Sequence, residues 1–137
     1  MQLSTYLFFN GRCEEALKFY EETLGARIDA LMKHGGSPAE GSVPPEWRDK
    51  VMHARFTVGD SVLMASDAPP DHQERPQGFS MSISVSDKDK AESLFNKLAE
   101  DGTTKMPFQQ TFWAAGFGMC VDRFGIPWMV NCEQGHE

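Results

Sequence analysis

One order of predicted elements occurs twice along the chain, and it limits the possible folds more than length or composition does. Residues 1–67 are predicted to form a strand, a helix and three further strands, and residues 78–137 repeat this βαβββ order. Each predicted helix has apolar residues at helical spacing. Because one helix covers only one face of a sheet, the other face is left for a partner or a ligand. We therefore predict an α+β fold in which two βαβββ modules form a curved, mixed-sheet cradle.

Turn-forming and helix-breaking residues agree with this division. Asn10 is expected to cap the first helix and Gly25 to end it. The glycines and prolines of GGSPAEGSVPPEWRDK, at 35–50, predict a loop without regular structure. Residues 68–77 are rich in proline and charge, and we expect them to link the two modules within a single domain that spans 1–137.

Composition argues against two classes of partner. The chain has 20 acidic and 13 basic residues, a formal net charge of −7, and no basic cluster interleaved with aromatic residues. Nucleic acid is therefore not an expected partner. No apolar run approaches the roughly 18 residues of a membrane span, and the first residues lack the pattern of an export signal. We expect a cytoplasmic protein without a membrane partner.

The cysteines support the same location. Cys13, Cys120 and Cys132 form an odd set without CxxC spacing, which argues against a disulfide framework and against a zinc clip. Cys13 is expected in the first turn of a helix, where the helix dipole lowers the pKa of a thiol, but Glu14 and Glu15 oppose that effect. We expect Cys13 to pack rather than to react.

Residues 53–67, HARFTVGDSVLMASD, are predicted to form a hairpin with a two-residue turn at Gly59-Asp60. Such a turn fixes the pairing outward, so that Arg55 opposes Met64. One face of the hairpin is then largely polar and has these members: His53, Arg55, Thr57, Val62, Met64 and Ser66. The other face is apolar and is predicted to pack beneath a helix: Ala54, Phe56, Val58, Leu63 and Ala65.

Alternation in the fifth predicted strand separates an apolar face from three serines, Ser80, Ser82 and Ser84. The final hairpin is predicted to pair Val121 with Ile126, a register that places these residues on one face: Gly116, Gly118, Met129 and Asn131. A seventh strand that extends far enough back adds Phe112 to that face. Phe112 and Trp113 could then form an aromatic wall of a cavity, although packing in the core is the favoured prediction.

Three stretches carry a resemblance to a known family: YLFFNGRCEEALKFYEETLGA, MHARFTVGDSVLMASD and FWAAGFGMCVDRFGIPWMVN. Over nearly the whole chain, the sequence resembles the PhnB-like branch of the vicinal oxygen chelate superfamily, which also includes glyoxalase I, bleomycin-resistance proteins and extradiol dioxygenases. The resemblance implies the cradle fold and a homodimer. It also implies four metal-ligand positions on the inner faces of strands one, four, five and eight, and these align with Thr5, Met64, Ser80 and Met129. Two hydroxyls and two thioethers are poor ligands for zinc, nickel or iron, so we predict no metal and no other cofactor.

Two side chains leave alternatives open. His53 and Asp67 are expected to lie near each other and could act as an oriented general base, but a structural hydrogen bond for His53 is favoured. Arg55 could receive an anionic ligand or could be an ordinary solvent-facing arginine. The predicted ligand pocket has ten members: Thr5, His53, Arg55, Met64, Ser66, Ser80, Ser82, Phe112, Met129 and Asn131.

Three functions are compatible with these observations. The first is a protein that binds an unidentified small molecule without the usual metal site. The second is a metal-dependent enzyme of the glyoxalase or dioxygenase type with non-standard ligands. The third is a dimeric scaffold without a small-molecule ligand. The sequence does not decide whether the protein is an enzyme.

Overall fold

The structure, a computed structural model, describes residues 1–38 and 40–133. The chain divides into two compact units, Met1–Glu74 and Arg75–Glu137. Within the described residues, each unit has one four-stranded mixed sheet and one α-helix, in the order βαβββ along the chain. The α+β class and the repeated element order are therefore confirmed. Over the described residues, neither helix has the length and apolarity needed to cross a bilayer.

The first unit has one parallel and two antiparallel strand pairs, in the order β1-β4-β3-β2. Its elements are β1 (Thr5–Phe9), α1 (Cys13–Leu24), β2 (Arg27–Lys33), β3 (Val51–Val58) and β4 (Ser61–Asp67). The prediction of a loop without regular structure at 35–50 is wrong in two places, because short 3₁₀ turns form at Glu40–Ser42 and Pro45–Trp47. A proline at the first position of such a turn loses no hydrogen bond, since its nitrogen would have no partner inside the turn.

Helix α1 covers one face of the first sheet. The side chains of Leu17 and Tyr20 are fully buried, and the Tyr20 ring stacks on Phe56 of β3 with 6.2 Å between centroids. Burial of each large apolar side chain contributes roughly 1.5–3 kcal/mol. The sheet side of this core is formed by the predicted apolar face of the hairpin together with β1. Its buried members are Leu7 and Phe9 from β1, Ala54 and Phe56 from β3, and Leu63 and Ala65 from β4.

The two ends of α1 differ in how they are capped. Gly25 has a left-handed backbone (φ 69°) and its amide donates to the carbonyl of Glu21, so the predicted stop is confirmed. The cap expected from Asn10 is wrong: the N-cap residue is Arg12, whose side chain makes no capping bond. The first-turn amide of Cys13 instead donates to the carboxylate of Asp67, from the end of β4.

The second unit repeats this arrangement in the strand order β5-β8-β7-β6. Its elements are β5 (Met81–Ser84), α2 (Lys88–Ala99), β6 (Thr103–Gln109), β7 (Ala114–Val121) and β8 (Pro127–Glu133). Asp87 caps α2 by accepting a hydrogen bond from the amide of Lys90 at 3.1 Å. The helix packs on the sheet through its buried residues Ala91, Phe95 and Leu98.

The register of the last hairpin differs from the prediction by one residue. Val121 pairs with Pro127, and Ile126 lies inside the turn. The reason is a side-chain bond: Asp122 Oδ1 accepts from the amides of Phe124 and Ile126, at 2.9 and 3.0 Å. This shift exchanges the predicted faces, so Gly116 and Gly118 face α2, and Phe117 shares a face with Met129 and Asn131.

Candidate ligand-binding site

The face of the first sheet that points away from α1 carries four of the ten residues predicted for the pocket: His53, Arg55, Met64 and Ser66. We call it the distal face, and its members are Tyr6, Phe8, Met32, His53, Arg55, Met64 and Ser66. Arg55 is the register partner of Met64, as the two-residue turn predicts, and Met64 is the partner of Tyr6. Because paired residues on neighbouring strands share a face, Tyr6, Met64 and Arg55 form one line across three strands.

His53 is held on this face by Tyr6. The phenol oxygen of Tyr6 lies 3.1 Å from Nδ1 of His53, and the two ring centroids are 5.7 Å apart. The structural hydrogen bond favoured for His53 is therefore present, with a partner that the sequence did not indicate. Since the bond engages Nδ1, Nε2 is the ring atom left to meet a ligand.

Arg55 is exposed and has no ion-pair partner among the residues that the structure describes. The charge of Arg55 does act on one carboxylate, that of Asp29. Hydrogen bonds from Thr57 and then from Arg27 hold the pKa of Asp29 below its usual value, and the charge of Arg55 adds to that effect. Asp29 is already bonded to Thr57 at 2.6 Å and to Arg27 at 2.7 Å. The Arg55 guanidinium therefore keeps its donors for another acceptor.

Apolar surface surrounds these polar groups. Phe8 is 57% exposed and Met32 is 48% exposed, which is unusual for side chains of this size. The ring of Phe8 also packs against the ring of Tyr6, with 4.9 Å between their centroids. The distal face thus combines one cation, one imidazole and an aromatic pair, a combination typical of a site for a small organic ligand.

Thr5 does not share this face. In the parallel β1–β4 ladder, Thr5 pairs with Leu63, whose side chain belongs to the core beneath α1. Tyr6 is the residue beside Met64. The prediction for Thr5 is wrong by one position because the strand was aligned from its junction with the helix, whereas its pairing is set by β4.

The alternative in which Asp67 orients His53 as a general base is also wrong. Asp67 is buried, and Oδ1 accepts from the amides of Gly11 and Cys13 while Oδ2 accepts from the amide of Val51, each at 2.9 Å. Both carboxylate oxygens are therefore engaged by the backbone. Asp67 anchors the start of α1 and the start of β3, and it does not orient His53.

The remaining predicted residues belong to the second unit. Ser82 pairs with Met129, and the β5–β8 ladder then pairs Ser84 with Asn131, so these residues share the face away from α2. Ser80 precedes β5 and lies outside the strands. The favoured prediction that Phe112 packs in the core is wrong. Phe112 precedes β7, is 90% exposed and makes an edge contact with Trp113, with 4.8 Å between the ring centroids.

The residues aligned with the superfamily's metal ligands do not fit a divalent ion. Met64 and Met129 supply thioethers, Ser80 supplies a hydroxyl, and the register replaces Thr5 by the phenol of Tyr6. Zinc, nickel and iron instead favour imidazole, carboxylate or thiolate. Over 1–38 and 40–133, no group of three or more His, Cys, Asp or Glu side chains has the arrangement of a metal site.

Neither of two buried cysteines offers a reactive thiolate. Burial raises the pKa of the Cys13 thiol far above its ordinary value, and the negative charges of Asp67 and Glu14 raise it further. Burial likewise raises the pKa of Cys120 to about 11. The packing role expected for Cys13 agrees with these surroundings, because a thiol that stays protonated is a poor nucleophile.

Comparison with known proteins places the chain among relatives of similar length. A family described as 3-demethylubiquinone-9 3-methyltransferase matches residues 1–131. Protein YjdN of Escherichia coli is 34% identical over 96% of this chain and 95% of its own. The crystal structure of a Pseudomonas aeruginosa protein has a TM-score of 0.88 at 50% identity, covering 98% of this chain and 99% of that one.

A second solved structure supplies the family's other name. It is a Bacillus cereus PhnB protein, described as a putative 3-demethylubiquinone-9 3-methyltransferase, with a TM-score of 0.83, 25% identity, and coverage of 96% of this chain and 99% of that one. More distant structures of the superfamily share the fold. The chain belongs to the PhnB-like family of the vicinal oxygen chelate superfamily.

Proposed function

We propose that this protein binds a small organic anion with an apolar body on the distal face of the first sheet, without the divalent metal of its superfamily. The observation that carries the proposal is Arg55, an exposed cation with no ion-pair partner among the described residues, on the same face as His53 and Tyr6. The chain has a formal net charge of −7, so a cation without an acidic partner is unusual in it.

The distal face supplies a partner for each part of this ligand. A carboxylate or phosphonate receives charge-assisted hydrogen bonds from the guanidinium of Arg55. The apolar body covers Phe8 and Met32, which are otherwise half exposed to water. His53, oriented by Tyr6, offers Nε2 to a further polar group of the ligand. This binding does not need the divalent metal of the superfamily, because the guanidinium of Arg55 provides the positive charge.

A thermal-shift screen followed by calorimetry tests the proposal. Aromatic and aliphatic carboxylates are each compared with the neutral amide of the same body, and we expect only the acids to stabilise the protein. Arg55→Gln should weaken binding of the best acid at least tenfold. Arg75→Gln is the matched control, since Arg75 is also exposed, lies outside the sheet and has no ion-pair partner in the described part of the chain.

Two results would overturn the proposal. One is equal stabilisation by an acid and its amide, which would mean that the charge is not recognised. The other is an Arg55→Gln variant that binds as tightly as the parent protein. Tyr6→Phe adds an independent reading, because loss of the phenol frees the His53 ring and should weaken binding without changing the preference for acids.

A further inference from the structure

Three methionines line up across neighbouring strands of the second sheet. Met106 of β6 is the register partner of Met119 of β7, and Met119 is the partner of Met129 of β8. The line ends at Ser82 of β5, the partner of Met129. Paired residues share a face, with Cα atoms about 4.5–5.5 Å apart in regular antiparallel strands. Met106 is paired with Met119 between two register shifts of the β6–β7 ladder. We call this set, Met106, Met119 and Met129, the methionine row.

The methionine row lies on the side of the sheet away from α2. A Cβ atom at Gly118 would lie 2.6 Å from a ring carbon of Phe95 in α2, so Gly118 faces the helix and the next residue, Met119, faces away. All three methionines are half-buried, whereas the core beneath α2 is made of fully buried residues such as Val130. The three methionine side chains are therefore not part of that core.

Thioethers favour one class of metal ion. They are soft, neutral donors that suit Cu(I) and its analogue Ag(I), and they bind hard or borderline divalent ions weakly. Three neutral donors leave the positive charge of the ion uncompensated, which suits a chain with a formal net charge of −7. Thioethers also do not take up protons near neutral pH, so binding to them does not compete with protonation, unlike binding to histidine or thiolate.

The cysteines are separated from this face. Cys120 pairs with Trp128 on the α2 side of the sheet, and Cys13, Cys120 and Cys132 are all buried. Burial raises the pKa of Cys120 to about 11, so its thiol is protonated at neutral pH. A soft cation added to the folded protein therefore meets the thioethers before the thiols.

We propose that the methionine row binds one soft monovalent cation, Cu(I) or Ag(I). This site lies in a different unit from the distal face of the first sheet and takes a ligand of opposite charge. The two proposals are therefore independent, and failure of one leaves the other standing.

Titration of the full-length protein with Ag(I) in chloride-free buffer tests the site. We expect one ion per chain, with an affinity that changes less than threefold between pH 5.5 and 7.5. The variant Met106→Leu/Met119→Leu/Met129→Leu keeps the apolar volume but removes the donors, and it should bind at least tenfold more weakly. The matched control carries the same change at three methionines of the first unit: Met32→Leu/Met52→Leu/Met64→Leu.

Methyl NMR supplies a measurement that does not depend on the triple variant being folded. In the parent protein labelled at the methionine methyl groups, Ag(I) should shift the resonances of the methionine row and leave the other five methionines unchanged. Absence of binding would overturn the proposal. So would equal affinity of the row variant and its parent, which would assign the metal to the thiols, or an affinity that falls steeply as the pH is lowered.

Discussion

Asp67 accepts a hydrogen bond from the backbone amide of Cys13, at 2.9 Å, although the two residues are 54 positions apart. The same oxygen accepts from Gly11, and the second oxygen accepts from Val51. The first turn of a helix has amides without partners inside the helix, and here a carboxylate from a neighbouring strand satisfies one of them. One buried side chain thus joins β1–α1, β3 and β4.

Asp67→Asn should lower the free energy of unfolding by roughly 2–4 kcal/mol, because a charged acceptor is lost and the new amide NH₂ must face at least one backbone N–H. Urea denaturation followed by circular dichroism measures the change. The control is Asp71→Asn, an exposed residue of a short turn, which should stay within about 0.5 kcal/mol of the parent. A small effect of Asp67→Asn would mean that the three amides find other partners.

Gly118→Ala should destabilise the second unit by about 1–3 kcal/mol, the usual cost of overpacking. The added methyl group would lie 2.6 and 2.8 Å from two ring carbons of Phe95, where β7 passes beneath α2. Phe95→Leu removes part of that ring, so the double variant should lose less stability than the two single changes together. Gly41→Ala is the control because, apart from its two chain neighbours, no atom of residues 1–38 and 40–133 lies within 4 Å of its Cβ position. Additive effects at Gly118 and Phe95 would contradict this explanation.

Stability should fall as the pH rises from about 9 towards 11. Burial raises the pKa of Cys120 from 9.0 to about 11 in the folded protein, so over this range the unfolded chain loses a proton that the folded chain retains. The raised pKa therefore stabilises the fold fully below pH 9, and this contribution is lost as the pH passes through the folded value. Urea denaturation at pH 7, 9 and 10 should show a decline that is smaller in Cys120→Ala. An identical decline in both proteins would assign it to other groups.

The two hairpins explain how far the sequence predicts this fold. The two-residue turn at Gly59-Asp60 leaves no slack in the chain, so the pairing of Arg55 with Met64 follows from sequence alone. The longer turn after Val121 does leave slack, and its register is set by bonds from the Asp122 carboxylate to backbone amides. An aspartate in a turn commonly accepts from the amide two residues later, as Asp122 does from Phe124, but that pattern does not specify the second bond, from the amide of Ile126.

The candidate site could be predicted only in part, because a local turn sets the position of some of its residues and long-range pairing sets the position of others. His53, Arg55 and Met64 follow from the tight hairpin, whereas the contribution of Tyr6 depends on how β1 pairs with a strand nearly sixty residues later. The alternative of a His53–Asp67 pair arises because Asp67 follows Ser66, which is opposite His53 in the predicted hairpin. Its actual partners lie at the start of α1 and of β3, and a contact between such distant segments has no signature in the sequence.

His34 is buried, with only 7% of its surface exposed. Neither of its ring nitrogens has a hydrogen-bond partner within residues 1–38 and 40–133. A buried polar atom without a partner loses its hydration and gains nothing in return, at a cost of roughly 1–3 kcal/mol. His34→Leu has a similar volume and removes both nitrogens, so it should raise the free energy of unfolding by about 1 kcal/mol. His72→Leu, at an exposed position, should not stabilise the protein. Destabilisation by His34→Leu, measured by urea denaturation at pH 7.5, would show that the imidazole is bonded in solution.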